Sequence, residues 1–139
     1  MEQSSKTLTF VVPAYNMETY LERCVESLLS ATDNSDIEVL IVDDGSSDGT
    51  PELADMYERR WPGNVRAIHQ VNKGHGGAVN TGIANATGMY VKVVDADDWV
   101  DMPSIDTLMG TLRVQRVATD PVDMIVTNYV YDKVGKRVK

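Results

Sequence analysis

Met89-Tyr90-Val91-Lys92-Val93-Val94-Asp95-Ala96-Asp97-Asp98 is an apolar, β-branched run that ends in three carboxylates within four residues. Such a run predicts a buried strand, because β-branched and aromatic side chains favour extended backbone and the stretch is too short for a core helix. The same form occurs twice more. Leu8-Thr9-Phe10-Val11-Val12, closed by Pro13, leads into Pro13-Ala14-Tyr15-Asn16, and Ile37 to Val42 leads into Asp43-Asp44-Gly45-Ser46. A weaker strand covers Val65 to Val71, followed by Gly74-His75-Gly76-Gly77, and Asp123 to Tyr131 reads as a last strand.

Helical patterns fill the gaps. Tyr20, Leu21, Cys24, Val25, Leu28 and Leu29 recur at helical spacing, with Glu18, Glu22, Arg23 and Glu26 on the other side. Thr50-Pro51-Glu52 is a cap residue followed by proline at the first helical position, which starts a helix that runs to about Trp61 and stops at Pro62-Gly63-Asn64. A short helix is expected from Gly77 to Ala86, closed by Gly88, and Asp101-Met102-Pro103 caps another through Val117. The order βαβαβαβαβ predicts an α/β fold: a mainly parallel sheet with helices on both faces and right-handed crossovers. Ligands collect at the carboxyl ends of the strands in such sheets, so the three strand-end loops are expected to converge on one edge. Residues 1–6 are expected to be a flexible N-terminus, 7–131 one partial domain, and 132–139 a basic tail or truncation end with more protein downstream.

The chain has 139 residues, 42% hydrophobic and 24% charged, which suits one domain with its own core and suggests neither disorder nor a membrane class. The N-terminus lacks the form of a secretory signal and no apolar run reaches membrane length, so the cytoplasm is the default compartment. A net charge of −8 disfavours nucleic acid as a partner. The lone Cys24, set among Leu21, Val25 and Leu28, reads as a buried, inert thiol.

Three carboxylates in four residues repel one another unless a cation joins them, and a hard divalent ion with oxygen ligands, Mg2+ or Mn2+, is the usual answer. On a straight strand, residues two apart place their side chains about 7 Å apart, too far for both to chelate one ion. Either the chain turns at Ala96, or Asp97, with Asp98, binds the ion while Asp95 holds a water, a ribose or a sugar hydroxyl. Magnesium-type sites commonly complete their shell with substrate phosphates, which points to a nucleoside diphosphate compound. Asp44 is placed to accept hydrogen bonds from a base and Tyr15 to lie against it; helix capping for Asp44 and packing over the sheet edge for Tyr15 are the plain alternatives. Lys73 and the backbone at Gly74 could approach the ligand closely.

Other motifs compete and fail. Gly45-Ser46-Ser47-Asp48-Gly49 matches G-x-S-x-G, but in the serine hydrolase fold the oxyanion loop precedes the nucleophile, whereas Gly74-His75-Gly76-Gly77 follows it. Asp44, Ser46, Asp48 and Gly49 mimic a calcium loop, yet a strand precedes them and Asp55 stands where a glutamate is required. The dinucleotide fingerprint is broken by Val79.

Phe10 to Asn16, Val42 to Thr50, Asn80-Thr81-Gly82-Ile83 with Ala86-Thr87-Gly88, and Val94 to Asp98 together resemble the family 2 glycosyltransferases of the GT-A fold, in the family's order and across about Thr7 to Tyr131. The resemblance implies a Rossmann-like nucleotide-binding sheet and an inverting transfer of sugar from a nucleotide-sugar donor, usually a uridine diphosphate sugar, to an acceptor hydroxyl on a saccharide or a lipid-linked acceptor. Carried over by position, Pro13 and Tyr15 flank the nucleoside, Asp44 contacts the base, and Asp95 to Asp98 form the DXD metal and diphosphate motif. The general base is expected beyond Lys139, in a part that could also bring peripheral association with the inner face of the membrane. The chain departs from the family pattern at Val79, where an arginine often precedes the asparagine; Lys73 or His75 is the substitute donor contact, or His75 is only a loop residue. The alternative class is a nucleotide-binding or regulatory module that keeps the donor site and transfers nothing.

Overall fold

The computed structural model describes residues 6–120, 131–133 and 136–138. Strands β1 (Leu8–Ala14), β2 (Ile37–Asp44), β3 (Val65–Gln70) and β4 (Tyr90–Val93) alternate with helices α1 (Leu21–Leu28), α2 (Thr50–Arg60), α3 (Gly74–Asn85) and α4 (Met102–Arg116). The strands form one parallel sheet in the order β3-β2-β1-β4. Every residue of β1 and β2 is buried, as expected for central strands covered on both faces.

The two faces are covered unequally. Leu8, Phe10 and Val12 of β1 and Ile37, Val39 and Ile41 of β2 pack with Leu21, Val25 and Leu28 of α1, Ala54 and Tyr57 of α2, and Ile105, Met109 and Leu112 of α4. The alternate residues Val11, Leu40 and Val42 meet Ala78 of α3 and Ile68. Among the described helices α3 alone covers this face, and it lies very close: a Cβ on Gly82 would run into Val11 Cγ1.

Several boundaries differ from the sequence reading. Strand β1 continues through Pro13 to Ala14, although proline lacks a ladder donor. Its polar groups have the same alternation as Val11, whose carbonyl accepts from Val94 N–H on the β4 side, and β4 has already stopped at Val93, so no donor is missed there. Helix α3 begins at Gly74, three residues before the expected Gly77, so the glycine-rich stretch is its first turn. Lys6, expected in a flexible terminus, donates from Nζ to the carbonyls of Ser35 (2.9 Å) and Gly63 (2.6 Å). Tyr131–Lys133 and Lys136–Val138 pair antiparallel as β5 and β6, all but Tyr131 within the expected tail 132–139, and the strand expected over 123–131 lies outside the described residues except for Tyr131. No helix among the described residues is long and apolar enough to cross a membrane.

Candidate nucleotide and metal site

The three strand-end loops do converge. Pro13 and Ala14 at the end of β1, Tyr15 and Met17 after it, Asp44 at the end of β2, and Asp95, Ala96 and Asp97 after β4 line one cavity of about 350 Å³ at the carboxyl edge of the sheet. Asn72, Gly74, His75 and Ala78 complete its wall. Tyr15, 49% exposed, borders the opening.

Asp44 is 3% exposed, and its carboxylate is oriented by two donors on a single oxygen. Gln70 Nε2 (2.9 Å) and the backbone N–H of Lys73 (2.7 Å) both donate to Oδ1. The Gln70 amide is itself turned the right way round, because its Oε1 accepts from Thr81 Oγ1 of α3 (2.7 Å). Among the described residues nothing donates to Asp44 Oδ2. Lys73 thus contributes its backbone to the site, and its side chain is not part of the cavity wall.

The β1–α1 and β2–α2 loops are laced together. Asn16 takes the left-handed conformation (φ 53°), a state that asparagine tolerates better than most residues. Its N–H donates to Ser46 Oγ (3.0 Å) and its Oδ1 accepts from Ser47 N–H (2.8 Å). Asp43, beside Asp44 but on the opposite face of the sheet, accepts Ser46 N–H at Oδ1 (3.0 Å). Gly45 has φ 73°, and a Cβ there would stand 2.7 Å from Asn72 N, so this turn requires glycine.

The acidic run does not remain a strand. After Val93 the chain leaves the sheet and turns at Ala96 and Asp97, closed by Asp98 N–H donating to Asp95 C=O (2.9 Å). The straight-strand separation therefore does not apply. Asp95, Asp97 and Asp98 each present a carboxylate oxygen, and these oxygens all lie within 4.8 Å of one another. Asp95 joins the two aspartates expected from sequence as a candidate ligand. Three hard oxygen donors fit a hard divalent ion. The crowding shows in Asp98, whose carboxyl is held above its usual range by partial burial and then by the Asp97 and Asp95 charges. His75 Nε2 lies 2.9 Å from Asp95 Oδ1, which ties the first turn of α3 to the acidic turn. Beneath it, Cys24 is completely buried and its thiol is pushed up to about 12 by burial, with the three aspartates adding to the shift, so it is the inert thiol expected.

Asn16, Gln70 and Asn72 were not singled out by the sequence. Gln70 and Asn72 are polar residues at the end of β3 with no local pattern, and only the β2–β3 register, which sets Asp44 beside Gln70, places them at the site.

A parallel α/β sheet that gathers an aromatic residue, a buried carboxylate and an acidic turn around one carboxyl-edge cavity has the ligand-site arrangement of an open α/β protein. The match to known proteins narrows the class. The chain belongs to glycosyl transferase family 2, whose model matches residues 9–137. It is 40% identical over 131 residues to glycosyltransferase GlyG of Streptococcus pneumoniae, covering 93% of this chain and 41% of GlyG. The structure is similar to S. aureus TarS 1-349 in complex with UDP-GlcNAc, with a TM-score of 0.70 and 26% identity, over 79% of this chain and 32% of that one. It is also similar to mannosyltransferase PcManGT from Pyrobaculum calidifontis in complex with GDP-Man and Mn2+, with a TM-score of 0.67 and 26% identity, over 81% of this chain and 34% of that one. The four-stranded sheet with flanking helices is the GT-A arrangement of these neighbours.

Proposed function

We propose that this cavity binds a nucleotide-sugar donor, in the first instance a uridine diphosphate sugar, for transfer of the sugar to an acceptor hydroxyl with inversion. The observation that carries this reading is the convergence of Tyr15, Asp44 and the acidic turn on one cavity. Tyr15 provides a face for the base and Asp44 a hydrogen-bond acceptor. With Oδ1 of Asp44 taken by two donors, Oδ2 is left for one N–H, which suits the single imide N–H of uracil better than the paired N–H groups of guanine. Pro13 and Gly74 border the same space, and Asp95, Asp97 and Asp98 would hold Mg2+ or Mn2+ against the diphosphate. Such an ion, when held there, would stabilise the charge that grows on a departing diphosphate. His75 steadies Asp95 from the side of α3. The Mn2+ of PcManGT and the UDP-GlcNAc of TarS support the choice of ion and donor class.

Calorimetric titration with uridine diphosphate and manganese tests the reading. The expected result is binding that disappears with a chelator, weakens at least tenfold in Asp97→Ala, and exceeds the binding of guanosine diphosphate. Metal-independent binding, unchanged in Asp97→Ala, would overturn the site assignment.

A further inference from the structure

On the opposite face of the sheet from Asp44, His69 of β3 stands between two carboxylates. Nδ1 lies 2.8 Å from Asp43 Oδ2 of β2, and Nε2 lies 2.7 Å from Asp55 Oδ1 of α2. A neutral imidazole has one N–H and one lone pair, so it can satisfy one of these contacts and must turn its lone pair toward an oxygen at the other. Only the imidazolium donates at both. The buried partner is the important one: Asp43 is 3% exposed, and its second oxygen accepts Ser46 N–H. Ser46 in turn accepts Asn16 N–H, and Asn16 accepts Ser47 N–H. A continuous chain of hydrogen bonds thus runs from His69 through Asp43 and Ser46 to Asn16, next in sequence to Tyr15, while Asp43 is next to Asp44.

We propose that His69, as an imidazolium clasped between Asp43 and Asp55, is a positioning residue that sets the β1–α1 and β2–α2 loops of the donor cavity, so that nucleotide affinity depends on its charge. The inference rests on the nucleotide-binding reading of that cavity. Loss of the proton turns one of the two donating contacts into a repulsion between a lone pair and a carboxylate. If Asp43 yields, its hold on Ser46 yields with it, and the two loops lose their common tie. The charged groups that face the ring are Asp43 from β2 and Asp55 from α2; Glu58 of α2 is engaged by Ala67 N–H further back along β3. Both facing groups are anionic, and the ring's proton affinity is correspondingly raised, by the Asp43 hydrogen bond first and the Asp55 hydrogen bond second.

The test is the affinity for uridine diphosphate with manganese between pH 6.5 and 9, together with the imidazole titration of His69 followed by NMR. In the wild-type protein affinity is expected to fall about three- to tenfold as pH rises through the His69 titration, since one pKa unit of coupling corresponds to a factor of about ten. By reciprocity the nucleotide should raise the His69 titration point further. His69→Gln should bind weakly at low pH and lose this part of the pH dependence. In Asp55→Asn a neutral ring donates to Asp43 and accepts from the new amide, so the titration point should fall while affinity stays high across the range. The proposal is overturned if His69 titrates at or below about 6.5, if wild type and His69→Gln have parallel pH profiles, or if Asp55→Asn behaves like His69→Gln. Should His69→Gln fail to fold, Asp55→Asn and the NMR titration decide alone. Absence of nucleotide binding by the wild type at every pH would count against the proposed function, and the NMR titration would still read the clasp.

Discussion

At Asp44 the function of one side chain depends on the division of labour between its two oxygens. Oδ1 is held by Gln70 and Lys73 N–H, which fixes the plane of the carboxylate, and Oδ2, which has no donor among the described residues, is the atom proposed to meet the base. Asp44→Asn is therefore expected to separate folding from binding. An amide can keep its oxygen toward Gln70 and Lys73, which leaves an N–H where the base presents its own N–H. Affinity for uridine diphosphate should fall by about 1–3 kcal/mol, the cost of an unsatisfied buried donor, with little change in the urea midpoint. Calorimetry and urea unfolding of the same samples check the two halves of this expectation. The placement of Asp44 and Tyr15 at the carboxyl edge was legible because polar or aromatic residues at the ends of apolar strands stand out. His69 and Gln70 were not, because a histidine and a glutamine at the end of a weak strand look like any solvated residues until register sets Asp43 against one and Asp44 against the other.

Among the elements, α3 shows how a helix with no large buried side chain is held. Its buried residues are only Ala78 and Gly82, and its contact with β1 depends on the missing Cβ of Gly82. Gly82→Ala gains the ordinary helix propensity of alanine but forces a methyl into Val11 at the centre of the sheet. The expected net result is a loss of about 1–3 kcal/mol in urea unfolding, the usual cost of overpacking a core. Since α3 carries Thr81 and His75, the shift should also weaken nucleotide binding. Helix α4 is secured at its start instead: Asp101 Oδ1 accepts Ser104 N–H (2.8 Å), with Pro103 in the first turn. Asp101→Ala is expected to cost about 1 kcal/mol, read as a lower urea midpoint with unchanged affinity for uridine diphosphate. The cap of α4 was readable from Asp101-Met102-Pro103, because capping is a local interaction. The start of α3 was not: three glycines within four residues suggest a loop by propensity, and the anchoring of Lys73 N–H on Asp44 and of His75 on Asp95 holds them as the first turn of a helix.

Across the whole molecule, buried carboxylates and His69 act on stability with opposite signs. Glu38 is nearly buried at the centre of the sheet; burial alone would raise its carboxyl, but Thr87 N–H, Arg66 and Thr9 outweigh that and hold it below its ordinary value. Arg113 does the same for Asp36, tying α4 to the start of β2. Their contribution is complete above the unfolded carboxylate values of about 3.9–4.3 and is lost as pH falls through the lowered folded values. His69 contributes fully below about 6.5 and its contribution is lost as pH rises through the raised folded value. Asp98 opposes the carboxylates, since its raised carboxyl favours the protonated form. The urea midpoint is thus expected to be highest between about pH 4.5 and 6.5, the window between those reference values. Glu38→Gln should flatten the acid side of that curve and His69→Gln the alkaline side.

The sequence by itself determined the α/β order, the buried central strands, and the carboxyl edge of the sheet at which Tyr15, Asp44 and the acidic run come together. These follow from local causes: β-branched runs too short for helices, caps and prolines that start helices, and carboxylates that no core would accept without a purpose. Only the tertiary structure decided how the groups act together. It turned the acidic run at Ala96 so that three carboxylates share one small volume, set Gln70 and His69 beside Asp44 and Asp43, and gave α3 its first turn from glycines. Each of these depends on contacts between residues far apart in the chain, where register and close packing overrule the preferences of any single stretch.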